Sequence, residues 1–191
     1  MLSQIELQHL LREPGIVLAL DTNVLRQSRR LLELADRVNQ LNKSPTRHIE
    51  VVIPAPAHGE RIFQLRRLHG AAFSVEKVRE FFAQKGVSIP AFDLDAAEGV
   101  AEALAQLFPD DRSWGMAKVK SALRRLGLPD TASAATRFPG TIDWLIAGQC
   151  YIRDWVLITD DTGNEFKVLR RRVQLEVAQR ALDAEWQDST N

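Results

Sequence analysis

This chain has almost no cysteine: Cys150 is its only one among 191 residues. A single thiol excludes an intramolecular disulfide and any zinc cluster built on several thiolates, and it fits a reducing compartment. Histidine does not fill the gap, because His9, His48, His58 and His69 show no metal-ligand spacing. An excess of charge of either sign is missing as well. The 25 basic and 25 acidic side chains cancel, so any surface for a polyanion has to arise by segregation of charge. Long apolar runs are absent too: no stretch approaches the ~20 consecutive apolar residues of a membrane span. The opening segment MLSQIELQHLLREPG has neither the basic n-region nor the apolar h-region of a secretory signal. Together these absences predict a cytoplasmic protein with no membrane association.

What is present is apolar material, 45% of the residues, enough to build a full core in one domain over residues 1–191 with room for an elaboration. Its spacing alternates. Ser3 to Arg12 predicts a short amphipathic helix closed by Pro14-Gly15, and Ile16 to Leu20 a strand whose unbroken apolarity implies cover on both faces. Val24 to Leu41 has helical spacing, Ile49 to Ile53 reads as a strand, and Ala57 to Leu68 and Val75 to Gln84 read as helices. Val87 to Phe92 follows as a strand and Asp95 to Leu107 as a helix. Ile142 to Ile152 is apolar nearly all round and predicts a buried helix, Trp155 to Thr159 the last core strand, and Val173 to Trp186 a closing amphipathic helix. This succession argues for an α/β fold around a parallel sheet. Phe108 to Gly140 breaks the rhythm with Pro109, Pro129 and Pro139 around one predicted helix, Trp114 to Leu126, and reads as a helical insertion. There is no internal repeat, heptad array or low-complexity segment.

Four acidic positions stand beside these apolar segments: Asp21 after IVLAL, Glu60 after VVIPAPAHG, Asp143 in TIDWLIAG, and Asp160 with Asp161 after WVLIT. In open parallel sheets the crevice beyond the carboxyl ends of the strands is where ligands bind, and Asp21 and the Asp160-Asp161 pair both occupy such places. Thr22, Asn23 and Thr159 add hydroxyl and amide groups able to bond a carboxylate. Each acid taken alone has a plainer explanation. Asp21-Thr22-Asn23 also suits a helix cap, and Asp143 and Glu60 also suit the positive end of a helix dipole, worth ~0.3 to 1 kcal/mol. Four acids at corresponding ends do not share one plain explanation. Carboxylates gathered together raise one another's pKa, so a cluster stays ionised only where a cation compensates it. Oxygen-only ligands favour magnesium or manganese, ions that acidify a bound water and offset charge on a phosphate. The reaction this equips is phosphodiester hydrolysis.

The same residues resemble a known family, the PIN-domain ribonucleases, and in particular the VapC-type toxins of bacterial toxin–antitoxin pairs. The resemblance rests on Leu20-Asp21-Thr22-Asn23-Val24-Leu25, on Pro54 through Glu60, on Asp143-Trp144-Leu145-Ile146-Ala147, and on Leu157-Ile158-Thr159-Asp160-Asp161 running on to Phe166. It implies a three-layer α/β/α fold in which Asp21, Glu60, Asp143 and Asp161 are catalytic and, with Asp160 as neighbour, hold Mg2+ or Mn2+. It also implies an RNA substrate, an antitoxin partner and a homodimer. The family often carries an acid or Asn two residues after the Thr of the last motif, which selects Asp161 over Asp160.

Cations near these motifs are candidates for the phosphate backbone: Arg61, Arg66 and Arg67 after Glu60, and Arg170, Arg171 and Arg172 after the last motif. Trp114, Lys118 and Lys120 join a base-stacking aromatic to cations, although a charged run of this kind is more often a solvated helix face. His58 is a candidate substrate contact. Three other readings compete with a toxin nuclease. A housekeeping nuclease would keep the same acids without a cognate antitoxin. A binding module of the same fold would most simply betray itself by a lost carboxylate, and none is lost. A phosphatase of the haloacid dehalogenase type needs a second Asp two residues after the first, where this chain has Asn23.

Overall fold

Among the described residues every strand is short and points the same way. In the computed structural model, which describes residues 1–110, 112, 113, 115, 141–162 and 164–190, the strands are β1 (Ile16–Leu20), β2 (Ile49–Val52), β3 (Val87–Ser88), β4 (Val156–Ile158) and β5 (Arg172–Val173). They form one parallel sheet in the order β3-β2-β1-β4-β5. The central strand is buried on both faces, with Leu18, Ala19 and Leu20 sealed from solvent, as unbroken apolarity requires of a strand sandwiched between helices.

The helices are α1 (Gln4–Leu11), α2 (Thr22–Leu25), α3 (Ser28–Leu41), α4 (Ala55–His69), α5 (Val75–Gln84), α6 (Leu94–Leu107), α7 (Thr141–Ile152) and α8 (Leu175–Thr190). They complete a three-layer α/β/α architecture of the PIN type. One group packs around α8, against α1 and α3; another packs around α7, against α4 and α6. The α6–α7 contact is intimate because glycines face each other. A Cβ placed on Gly99 would stand 2.8 Å from Ile152 Cβ, and one on Gly148 would stand 2.6 Å from Val100 Cα, so neither position tolerates a side chain without displacement. At the other end of the chain, Ser3 and Glu6 close a reciprocal capping box on α1.

Three expectations change, and a fourth falls mostly outside the described residues. The helix read from Val24 to Leu41 is two helices, because Gln27 leaves the helical region at φ −95, ψ 61 and its amide reaches Asp160 Oδ2 at 2.8 Å. β3 stops at Ser88 rather than Phe92, since Pro90 has no N–H to extend a ladder. The strand at Trp155–Thr159 is not the last: Arg172 and Val173 pair with Leu157 and Ile158 as a fifth parallel strand, and the final helix starts after them. Most of the stretch read as an insertion lies outside the described residues, as do Trp114, Lys118 and Lys120.

From β1 the sheet grows outward in both directions, to β2 on one side and β4 on the other. The carboxyl ends of β1 and β4 therefore flank the switch point at which open α/β sheets leave a crevice. Asp21 follows β1 there, and Thr159, Asp160 and Asp161 follow β4. The ends of β1 and β4 are tied by the Asp21 N–H, which donates to the Ile158 carbonyl at 3.1 Å, and the end of β4 is tied to β5 by the Thr159 N–H, which donates to the Val173 carbonyl at 2.9 Å.

Candidate active site

At that crevice the Asp21 carboxylate is only 3% exposed and accepts three hydrogen bonds, all from neutral groups. The Thr22 N–H reaches Oδ1 at 2.6 Å, and the Asn23 amide and the Thr159 hydroxyl reach Oδ2 at 2.7 and 2.6 Å. Thr22–Leu25 is a four-residue helix that Asp21 caps. The cap and the candidate site thus use the same carboxylate, and the two explanations of Asp21 are not rivals.

Thr159 is the joint of the site. A hydroxyl has one proton to give and two lone pairs, and this one uses all three: it donates to Asp21, and it accepts from the Asn23 amide at 3.0 Å and from the Asp161 N–H at 3.0 Å. Asn23 completes the lacing, its Oδ1 accepting from the Asp160 N–H at 3.2 Å. The fully buried Thr159 therefore fixes where the turn after β4 presents Asp161.

Burial pushes the Asp21 carboxyl up to about 6; the hydrogen bonds from Thr159 and the Thr22 N–H oppose that rise, and the charges of Asp161 and Glu60 add to it. Three of the four predicted acids thus share one electrostatic neighbourhood. Glu60 lies in α4, past Pro54 at the carboxyl end of β2, and its Oε1 accepts from the Gln64 amide at 3.1 Å. Asp143 occupies the first turn of α7. It continues the stripe of Ala147 and Cys150, both fully buried, and the Cys150 thiol is pushed up by burial and by the Asp21 charge.

Asp160 and Asp161 divide their work. Both oxygens of Asp160 are engaged in holding the scaffold, Oδ1 accepting from the Leu175 N–H at the start of α8 at 3.1 Å and Oδ2 from Gln27. Asp161 is the member of the pair whose charge reaches Asp21.

An oxygen-only set of this kind fits a hard cation. The Thr22 hydroxyl, next in the chain to Asp21, is buried without a hydrogen-bond partner, a polar atom left for a water or a phosphate oxygen. Among the described residues no three His, Cys, Asp or Glu side chains draw close enough to hold a metal ion by themselves.

Other candidates fall elsewhere. His58 is buried and packs edge-on against Phe82 of α5 with ring centroids 6.3 Å apart; burial, with the Arg79 charge, lowers its pKa, and it is a core residue between two helices. Arg170 and Arg171 precede β5 and Arg172 opens it, so they lie at the end of the sheet away from the acids, where Arg171 pairs with Asp154 at 3.2 Å. Sequence reasoning passed over Arg26, Gln27 and Gln64, which the structure brings to the rim. The available signal was Gln64 four residues after Glu60, one helical turn on the same face.

Fold and site together describe a PIN-like α/β/α protein with an acidic crevice at its switch point. No protein-family model matches it and no curated protein matches it. Among solved structures it is similar to VapBC-1 from nontypeable Haemophilus influenzae, at 18% identity over 84% of this chain and 99% of that one, with a TM-score of 0.52. It also aligns with VapBC2 from Rickettsia felis, solved bound to a DNA fragment from its promoter, at 15% identity over 83% and 97% of the two chains and a TM-score of 0.48.

Proposed function

We propose that this chain is a metal-dependent endoribonuclease of the VapC type, the toxin of a toxin–antitoxin pair. The observation that carries the reading is Asp21: a carboxylate buried at the switch point, bonded only by neutral donors, and flanked by the like charges of Asp161 and Glu60. Such a group is poorly stabilised without a cation. Asp21 and Asp161, with Glu60 and Asp143, are the residues that would hold Mg2+ or Mn2+. When bound, the ion supplies charge that offsets the scissile phosphate and acidifies a water for in-line attack.

The chain's own part is positioning. Asn23 and Thr159 fix the rotamer of Asp21, Thr159 fixes the Asp161 turn, and Asp160 fastens that turn to α8. The antitoxin reading comes from the family resemblance and gains support from apolar side chains in solvent on the helices after β2: Phe63 and Leu68 of α4 are 60% and 74% exposed, and Phe81 of α5 is 40% exposed. A homodimer is the second assembly the resemblance implies.

Incubating a mixed pool of structured and unstructured RNA with the purified protein tests the activity. Cutting in Mg2+ or Mn2+ that EDTA stops is the expected result; folded protein that leaves RNA intact in both metals would move the reading to a binding module of the same fold.

A further inference from the structure

Two guanidinium groups meet on the rim of the crevice without a carboxylate between them. Arg26 Nε donates to Gln64 Oε1 at 3.1 Å, and Arg61 Nη1 reaches the same oxygen at 3.4 Å. The two nitrogens therefore stand no farther apart than the sum of those lengths. The other end of the amide is also occupied, Gln64 Nε2 donating to Glu60 Oε1. Gln64 thus joins an acid of the site to two cations, one from the end of α2 and one from α4.

Neither arginine forms a salt bridge with an acid among the described residues. By contrast Arg12, Arg37, Arg47, Arg153 and Arg171 each pair with an acid. Like charges held together cost free energy unless an anion joins them. A planar fork on each side suits the several oxygens of a phosphate.

We propose that Arg26 and Arg61, held by Gln64, clamp a backbone phosphate of the RNA strand beside the scissile one, with Gln64 as the positioning residue; the inference rests on the nuclease reading above. The clamp is separated from Glu60 by a single amide group, so a phosphate held there is next along the strand from one lying over the acids. A phosphodiester chain can satisfy both places at once. A lone carboxylate from a protein can satisfy only one, while meeting the repulsion of Glu60.

The test is the affinity of the full chain for a labelled single-stranded RNA, measured in EDTA over a series of salt concentrations. The same oligonucleotide is offered to the same proteins in Mg2+ to read cleavage. In the double variant Arg26→Gln/Arg61→Gln, affinity falls and the slope of log K against log salt flattens by about 0.7, the value for one lost phosphate on a single strand. Gln64→Leu moves both in the same direction by less. Arg26→Lys/Arg61→Lys keeps the charge and loses the fork, so it retains the slope with weaker affinity; it also serves if the Gln pair does not fold. Cleavage by the wild type with an unchanged slope in the variants overturns the clamp and leaves the nuclease. A flattened slope without wild-type cleavage overturns the nuclease and keeps a phosphate-binding pair. Unchanged RNA binding together with lost association to a protein partner would make the pair a protein-docking contact and overturn the proposal.

Discussion

Thr159 and Asp21 show how much of the chemistry hangs on one hydroxyl and one carboxylate. Thr159→Val would take the acceptor from the Asp161 N–H, one of two acceptors from the Asn23 amide, and a donor from the buried Asp21 carboxylate, a loss worth ~1–3 kcal/mol at the buried carboxylate. Activity is expected to fall about 10- to 100-fold, as when partners that orient metal ligands are lost. The Thr159 hydrogen bond favours the charged form of Asp21. Its loss therefore moves the acidic limb of the pH–rate profile to higher pH, and Thr159→Ser restores the limb. A profile that does not move would separate Thr159 from Asp21. A second prediction comes from Asp21 itself, held at about 6 against an ordinary 3.8. Between those values the folded chain keeps a proton that the unfolded chain has released. The group's contribution to stability is thus full below the lower value and is lost as pH rises through about 6, a loss on the order of 3 kcal/mol in the metal-free protein. A cation acts on the ionised form only. Mn2+ at ~100 times its Kd should stabilise by about 2.7 kcal/mol at pH 7.5 and far less at pH 5; equal shifts in Tm at both pH values would place the ion away from Asp21. These acids were legible in the sequence because each stands beside an apolar segment. Arg26 and Gln64 were not, because nothing along the chain says that α2 and α4 bring them to one point.

At the scale of elements, the acids are placed by strand ends and the turn after β4 is placed by a helix. Asp160 bonds the first N–H of α8 and the Gln27 amide at the break between α2 and α3, so it ties three elements together. Asp160→Ala is expected to destabilise by about 1 kcal/mol, the usual worth of a helix cap, and to lower activity only modestly. Asp161→Ala is expected to abolish cutting with little change in Tm. Thermal melts and cleavage assays on the two variants check the division; the opposite pattern would exchange their roles. The sequence made most elements readable because burial on both faces leaves continuous apolarity in strands and a 3.6-residue period in helices. It hid β5, whose two residues, Arg172 and Val173, show no periodicity and run straight into α8. It also hid the break at Gln27, whose cause is a hydrogen bond to a residue 133 positions away. β3 was overread because Ile89 continues the apolar run into Pro90, and only the missing N–H ends it.

Over the whole molecule, the sheet puts its chemistry at one end and its fastening elsewhere. Glu185 of α8 is fully buried and pairs with Arg12, just past α1, at 2.7 Å and with Arg47, ahead of β2, at 2.8 Å. This network holds the closing helix against the body while α8 supplies the N–H that steadies Asp160. Arg26 and Arg61 stand outside this network, beside the acids. Among the described residues no helix is long and apolar enough to cross a membrane. The parallel order of the sheet followed from alternating strands and helices, whereas the strand order, and with it the switch point that gathers Asp21 and Thr159, depends on long-range pairing that no local pattern records. The central claim is that this gathering makes a metal-dependent ribonuclease, and a time course of RNA cleavage in Mg2+ by the wild type beside Asp21→Asn tests it most directly. Cutting by the wild type and none by the variant, while both melt cooperatively, is the expected result; equal cutting by the two folded proteins would show that Asp21 is not part of the reaction.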